Sequence, residues 1–216
     1  MAERKQDKLL GIRTVGIREW KDSKVHYNRY EATPYKALNS LFKHYKFNKT
    51  DKVVDFGCGR GRVAFYIHNH FHIPVTGIEV NDKTFEEALD NKARYRFKAK
   101  DISAPIKFHY GLAEHYKIDK SENCFYFFNP FSVQIFKKVV RNILYSVEKD
   151  LRTVDLILYY PIEEYKEFLK TCTPFTIINK IRIPGTRDIR EKFIIYRLRE
   201  EDYISYENRW QDISGF

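Results

Sequence analysis

The sequence predicts an α/β fold: a doubly wound, mostly parallel seven-stranded sheet with a C-terminal antiparallel β-hairpin. Three observations lead there. Short β-rich runs alternate with amphipathic stretches from Lys52 onward, and the first run stops at closely spaced glycines. After Leu169 the alternation breaks, and two strand-like runs follow each other with no helix between them. Alternating strands and helices need crossovers on both faces of a parallel sheet, whereas two runs joined by a turn pair antiparallel.

Each element has its own reason. Residues 1–30 are polar with scattered apolar positions and read as a loosely packed arm with one short helix or turn. Thr33 as N-cap and Pro34 at the first helical position start a helix, with Leu38, Leu41, Phe42 and Tyr45 on one face. Lys52–Phe56 is a strand, Arg62–Asn69 a helix and Val75–Val80 the next strand. Lys83–Ala93 is helical with Phe85, Ala88 and Leu89 on one side, and Ile106–Tyr110 is a strand. Cys124–Phe128 is a continuous apolar run, suited to a strand buried on both faces. Ser132 caps a long helix whose core stripe is Phe136, Val139, Val140, Ile143, Leu144 and Val147. Val154–Tyr160 is another buried strand, followed by a short helix over Glu163–Leu169. Phe175–Ile183 and Lys192–Leu198, around Pro184-Gly185-Thr186, form the closing pair. The chain divides into a basic N-terminal arm, 1–32, and one domain, 33–216.

Composition narrows the class. Hydrophobic residues make up 43% of the 216, which excludes a disordered chain. No apolar run approaches the ~18 residues of a bilayer span, and the charged N-terminus lacks the apolar segment of a secretory signal. Cys58, Cys124 and Cys172 are odd in number and far apart, against a disulfide framework or a zinc site; a reduced, cytoplasmic protein fits. The net charge is +10. Residues 1–50 hold twelve Lys/Arg against five acids, so +7 of it lies there. That asymmetry suits steering of a polyanion such as RNA, or nothing more than a solvated arm.

The most specific stretch is Val53-Val54-Asp55-Phe56-Gly57-Cys58-Gly59-Arg60-Gly61-Arg62, a buried strand running through three glycines into a helix. In open α/β sheets this is the default ligand site. A dinucleotide fingerprint needs its third glycine where Arg62 stands, and no Lys-Ser or Lys-Thr follows for a P-loop. What remains is an acidic residue two positions before the first glycine. Asp55 there would repel pyrophosphate but suits a ligand bearing an ammonium and a sulfonium. Glu79, ending the second strand, is placed to accept both hydroxyls of a ribose.

With these motifs the chain, over roughly residues 33–200, resembles the class I (Rossmann-like) S-adenosylmethionine-dependent methyltransferases. The resemblance implies S-adenosylmethionine as cofactor. It implies binding residues Asp55, Gly57, Cys58, Gly59 and Gly61 in the first motif, with Glu79 and Val80 at the ribose. His109-Tyr110-Gly111-Leu112-Ala113 falls where the family grips adenine, giving Gly111, Leu112 and Ala113, with Leu112 standing where the family has an acid. Phe128-Asn129-Pro130-Phe131 falls at the catalytic motif of the fourth strand. Amino-methyltransferases use (Asp/Asn/Ser)-Pro-Pro-aromatic there; here the second proline is missing and the aromatic arrives one place early. Asn129, Pro130 and Phe131 are the implied catalytic residues, Asn129 also touching the cofactor. The carboxamide oxygen of Asn129 and a nearby backbone carbonyl would orient an amine, unless Asn129-Pro130 only shapes the turn before Ser132. Tyr27–Tyr35 reads as a lid, with Tyr30 or Tyr35 over the methionine end, or as ordinary helix packing.

Other features are weaker. His68, His70 and His72 alternate, but residues two apart on a helix point to different sides, so no metal is expected. Arg94–Lys100 interleaves bases and aromatics, as an RNA contact or a charged strand edge does. Cys58 reads as a small filler. The resulting expectation is a methyltransferase acting on an amine of a macromolecule, protein or RNA, with the basic arm as a candidate contact to it. The alternatives are a small-molecule methyltransferase and a non-catalytic adenosyl-ligand binding protein.

Overall fold

A computed structural model describes residues 2–19 and 26–205. Seven strands form one sheet: β1 (Val53–Phe56), β2 (Val75–Glu79), β3 (Ile106–Tyr110), β4 (Cys124–Phe127), β5 (Val154–Tyr159), β6 (Thr176–Arg182) and β7 (Lys192–Leu198). Their spatial order is β3-β2-β1-β4-β5-β7-β6. The first five are parallel, and β7 pairs antiparallel with both β5 and β6. The predicted fold class is therefore the observed one, hairpin included. The order reverses between β1 and β4, which opens a crevice at the carboxyl ends of those strands.

The α-helices that pack with the sheet include α1 (Ala2–Leu10), α2 (Tyr35–His44), α3 (Arg62–Phe71), α4 (Asp82–Arg96), α5 (Val133–Lys149) and α6 (Glu163–Cys172). A short 3-10 helix at Ala113–His115 follows β3. β4 shows why both faces must be covered. Phe125 and Phe127 pack with Phe136, Val140 and Ile143 of α5 on one side, and Tyr126 joins Leu38, Leu41 and Phe65 of α2 and α3 on the other. Burying each of these large side chains contributes about 1.5–3 kcal/mol. Phe136 stacks on Tyr165 of α6 with ring centroids 3.7 Å apart, and the Tyr165 hydroxyl donates to the Phe131 carbonyl. The core of the α5 side thus reaches directly into the loop after β4.

Several local expectations change. α2 begins at Tyr35, one residue later than read, with Pro34 as its N-cap. Thr33 does not cap it, because its buried hydroxyl is engaged with that of Tyr126 at 2.8 Å. α4 buries Thr84, Ala88, Asn91 and Tyr95, while Leu89 is 41% exposed. Asn91 makes that face tolerable: it accepts from Arg13 N and donates to the carbonyls of Arg13 and Arg60. Arg94–Arg96 is the end of this helix and Phe97 its C-cap, so the stretch is no strand edge. The three histidines separate: His68 bonds Tyr95 and Ala104, His70 packs on Phe42 and Phe71, and His72 is the left-handed C-cap of α3.

The described part of residues 1–30 is not loose. Leu10 and Ile12 are buried in the core. Arg62, the first residue of α3, is 4% exposed and pairs with Glu3 and with Asp7 at 3.8 Å. A buried guanidinium holds the segment down because its desolvation is offset only if several acceptors surround it. Among the described residues no helix is long and apolar enough to cross a membrane.

Candidate active site

The crevice collects the ends of β1, β2 and β4. Asp55, in β1, is buried, and its Oδ2 has no hydrogen-bond partner among the described residues. Burial, and then the neighbouring charge of Glu79, pushes its carboxyl up to about 8, partly opposed by a contact from the Ala64 backbone. Burial also raises Glu79 above the usual carboxylate range, partly opposed by backbone donors from Asn81, Val80 and Gly59. Those donors are Val80 N and Asn81 N on Oε1, both at 2.8 Å, and Gly59 N on Oε2 at 2.9 Å. Glu79 is thus fixed rigidly against the glycine loop with acceptor capacity left on Oε2.

The loop itself needs glycine for packing as well as for turning. Gly57 has φ +73°, and a Cβ there would overlap Pro130. Gly59 has φ +56°, and a Cβ there would overlap the ring of Tyr30. The first motif therefore touches the fourth-strand motif on one side and the N-terminal segment on the other. The Arg60 guanidinium lies over the same Tyr30 ring, 4.9 Å from its centroid.

Residues 26–31 form a strap along the loop after β4. Ser132 N donates to the His26 carbonyl at 2.7 Å, and Tyr27 forms an antiparallel bridge with Phe131. Asn28 N donates to the Pro130 carbonyl at 3.0 Å, and Asn28 Nδ2 to the Asn129 carbonyl at 2.7 Å. Tyr30 bridges to Arg18, and its hydroxyl donates to the Thr14 carbonyl. Tyr27 donates to Glu114 at 2.6 Å, so Glu114 faces this roof. The space left between strap and strand ends is about 60 Å³.

Of the sequence-predicted residues, Tyr30, Asp55, Gly57, Cys58, Glu79, Val80, Gly111, Ala113, Pro130 and Phe131 line this cavity together. Gly59, Gly61 and Leu112 do not line it; Gly61 is packed by Phe65 and Phe108. Tyr35 points elsewhere, donating to Asp7 at 2.7 Å beneath Arg62. Asn129 lines the adjoining cleft instead, with Phe128, Tyr159, Tyr160 and Glu191. Its backbone is left-handed at φ 40°, as is Tyr160 at φ 50°, and Asn129 Nδ2 donates to the Tyr160 carbonyl. Two non-glycine residues held in this region at the ends of neighbouring strands store strain of the kind found at functional sites. Asn129 Oδ1 is buried without a partner among the described residues. Sequence reading missed Arg62, Tyr126 and Thr33 in the cavity wall. A basic residue after a glycine loop and an aromatic in a buried strand carry no distinguishing local signal.

No family model matches the chain. A protein-lysine N-methyltransferase of Saccharolobus islandicus is 34% identical over 70 residues, which are 32% of this chain and 44% of that protein. The chain thus spans less than half the length of the curated relative it matches. An RNA methyltransferase from Salinibacter ruber, solved with S-adenosyl-L-homocysteine, superposes with TM-score 0.55 and 16% identity over 77% of this chain and 92% of that one. A putative RNA methyltransferase from Pyrococcus horikoshii does so with TM-score 0.53 and 18% identity over 91% and 98%. At such identities the likeness is one of fold: the chain has the fold of the class I methyltransferases.

Proposed function

We propose that the chain is an S-adenosylmethionine-dependent methyltransferase, acting in the cytoplasm on an amine nitrogen of a macromolecule, protein or RNA. The observation that carries this reading is the partnerless Oδ2 of Asp55, beside Glu79, in a cavity at the switch point of the sheet. Two buried carboxyls facing one small space suit a ligand that brings a positive charge and hydroxyl donors. S-adenosylmethionine brings a sulfonium, an ammonium and a ribose.

Asp55 and the backbone around Gly57 and Cys58 would hold its amino-acid end. Glu79 would take the ribose with its spare acceptor capacity, and Gly111, Ala113 and the Tyr27–Glu114 pair would flank the base. When bound, the cofactor supplies an electrophilic methyl group. The chain's own task is then alignment and exclusion of water. Pro130 and Phe131 wall the methyl side, and Tyr30 closes the roof over the glycine loop. Asn129 offers acceptors that hold an amine's N–H groups and aim its lone pair, and the amine sheds its proton to water.

The name of the Saccharolobus relative and those of the structural neighbours support methylation of a macromolecule. In the basic arm two guanidinia already have acidic partners: Arg18 is paired with Glu87, and Arg29 with Glu19 and Glu31. Calorimetry tests the reading. S-adenosylmethionine and S-adenosylhomocysteine should both give heat at micromolar concentrations and NAD none. The reverse pattern would overturn it.

A further inference from the structure

Beside the cofactor cavity lies a second, wider cleft of about 860 Å³ that shares Tyr27, Asn28, Arg29, Glu31 and Phe128 with it. Asn129 stands on its floor. Its charge runs against that of the molecule. The chain carries +10, whereas among the described residues the cleft is lined by three carboxylates, Glu19, Glu31 and Glu191, and one guanidinium, that of Arg29. Tyr27, Phe128, Tyr159 and Tyr160 give the wall its aromatic part, beside Asn28, Pro34 and Asn129. The hydroxyls of Tyr159 and Tyr160 are engaged with Glu191 and Asp188, so these residues offer ring surface rather than donors. Ring faces attract cations, and Arg190 already lies over Tyr160, 5.3 Å from its centroid.

The strap marks the acceptor. The side-chain amide of Asn28 donates to the Asn129 carbonyl at 2.7 Å, so an N–H group fits against that oxygen from a side chain lining the cleft.

We propose that this cleft is the substrate site and that it takes the ammonium-bearing side chain of a lysine in a protein. The inference rests on the methyltransferase reading and names its substrate class. Glu31 and Glu191 attract the ammonium, and Phe128, Tyr159 and Tyr160 wall its aliphatic stem. Its nitrogen takes over the position of the Asn28 amide at the Asn129 carbonyl. An RNA backbone is disfavoured, because phosphates would have to enter a cleft with net charge −2 made of these four groups.

The test uses the full chain and methyl-tritiated S-adenosylmethionine with three acceptors: a lysine-rich unstructured peptide, the same peptide with arginine in place of lysine, and protein-free transfer RNA. Label should enter the lysine peptide alone. Glu191→Gln, which lies in the cleft but outside the cofactor cavity, should raise KM for that peptide about threefold, as partly exposed charges do, with kcat changed less than twofold and cofactor affinity unchanged. Glutamine keeps an oxygen to accept from Tyr159, and its amide nitrogen can donate to Thr186 Oγ1, which donates to Glu191 Oε2 in the parent chain. Label in RNA and not in peptide, or an unchanged KM in Glu191→Gln, would overturn the lysine site while leaving the methyltransferase reading intact. Absence of cofactor heat together with absence of label in all three acceptors would overturn both.

Discussion

Replacing Arg62 with alanine probes how firmly the N-terminal segment is tied to the glycine loop. The guanidinium is almost fully buried; its Nε donates to Thr14 Oγ1 at 2.7 Å and its Nη1 to the Thr33 carbonyl at 3.2 Å. It lies 4.6 Å from the Tyr35 ring centroid and pairs with Glu3 and Asp7. Breaking a buried pair by deleting one partner costs about 3–5 kcal/mol, because the other charge stays behind. Here Asp7 stays buried but keeps donors from Thr14 N, Thr14 Oγ1 and the Tyr35 hydroxyl. Glu3 is half-buried and rehydrates. Both facts favour the low end, about 3 kcal/mol, roughly a hundredfold in the folding equilibrium. Urea unfolding of the full chain should show the midpoint falling with an unchanged slope. A loss below about 1 kcal/mol would refute the argument, since that is what a solvent-screened pair contributes.

Three further outcomes follow from the site. Asn129→Ala should lower turnover by about a hundredfold through lost alignment, with cofactor affinity within about twofold by calorimetry; equal turnover would leave Asn129 only a turn residue. Gly59→Ala combines a left-handed backbone with overlap onto Tyr30; it should cost more than about 2 kcal/mol in thermal unfolding, and a smaller loss would mean the strap yields freely. Because Asp55 sits at about 8 and a cationic ligand favours its ionised form, cofactor affinity should rise about twentyfold from pH 6 to pH 7.5. Asp55→Asn should flatten that profile. Without ligand the sign is opposite for stability. The folded chain holds a proton that an unfolded aspartate has released, so the contribution of Asp55 is full below the ordinary carboxyl range and is lost as pH rises through about 8.

How much of this was legible depended on whether the deciding contact was local. β4 could be read because a continuous apolar run suits a strand buried on both faces, and α5 because an apolar stripe of period 3.6 reports its buried side directly. The glycine loop was legible because positive φ and close approach leave few alternatives to glycine. α4 was misread because its buried face is set by Asn91 and Thr84 rather than by Leu89, and a satisfied buried amide looks polar in sequence. Thr33-Pro34 misled by one residue because Tyr126, distant in sequence, claims the hydroxyl that would have capped the helix. The strap had only its tyrosines as a signal. Its backbone pairing with Asn129–Ser132 rests on partners about a hundred residues away, which no local pattern encodes.

That separation has a consequence for synthesis. The Asn28–Asn129 contact spans 101 residues, so at ordinary translation rates the strap waits about 5–20 seconds for its partner to be made. β1 and the glycine loop are made well before β4, which flanks them, so Asp55 and Phe56 wait with one side of their strand uncovered. Contacts this distant are late and entropically costly to close. The ligand cavity therefore cannot close before Phe131 is made, with β5, β6 and β7 still to follow, and binding of an adenosyl ligand would report the joining of strap and β4 more faithfully than helix content does.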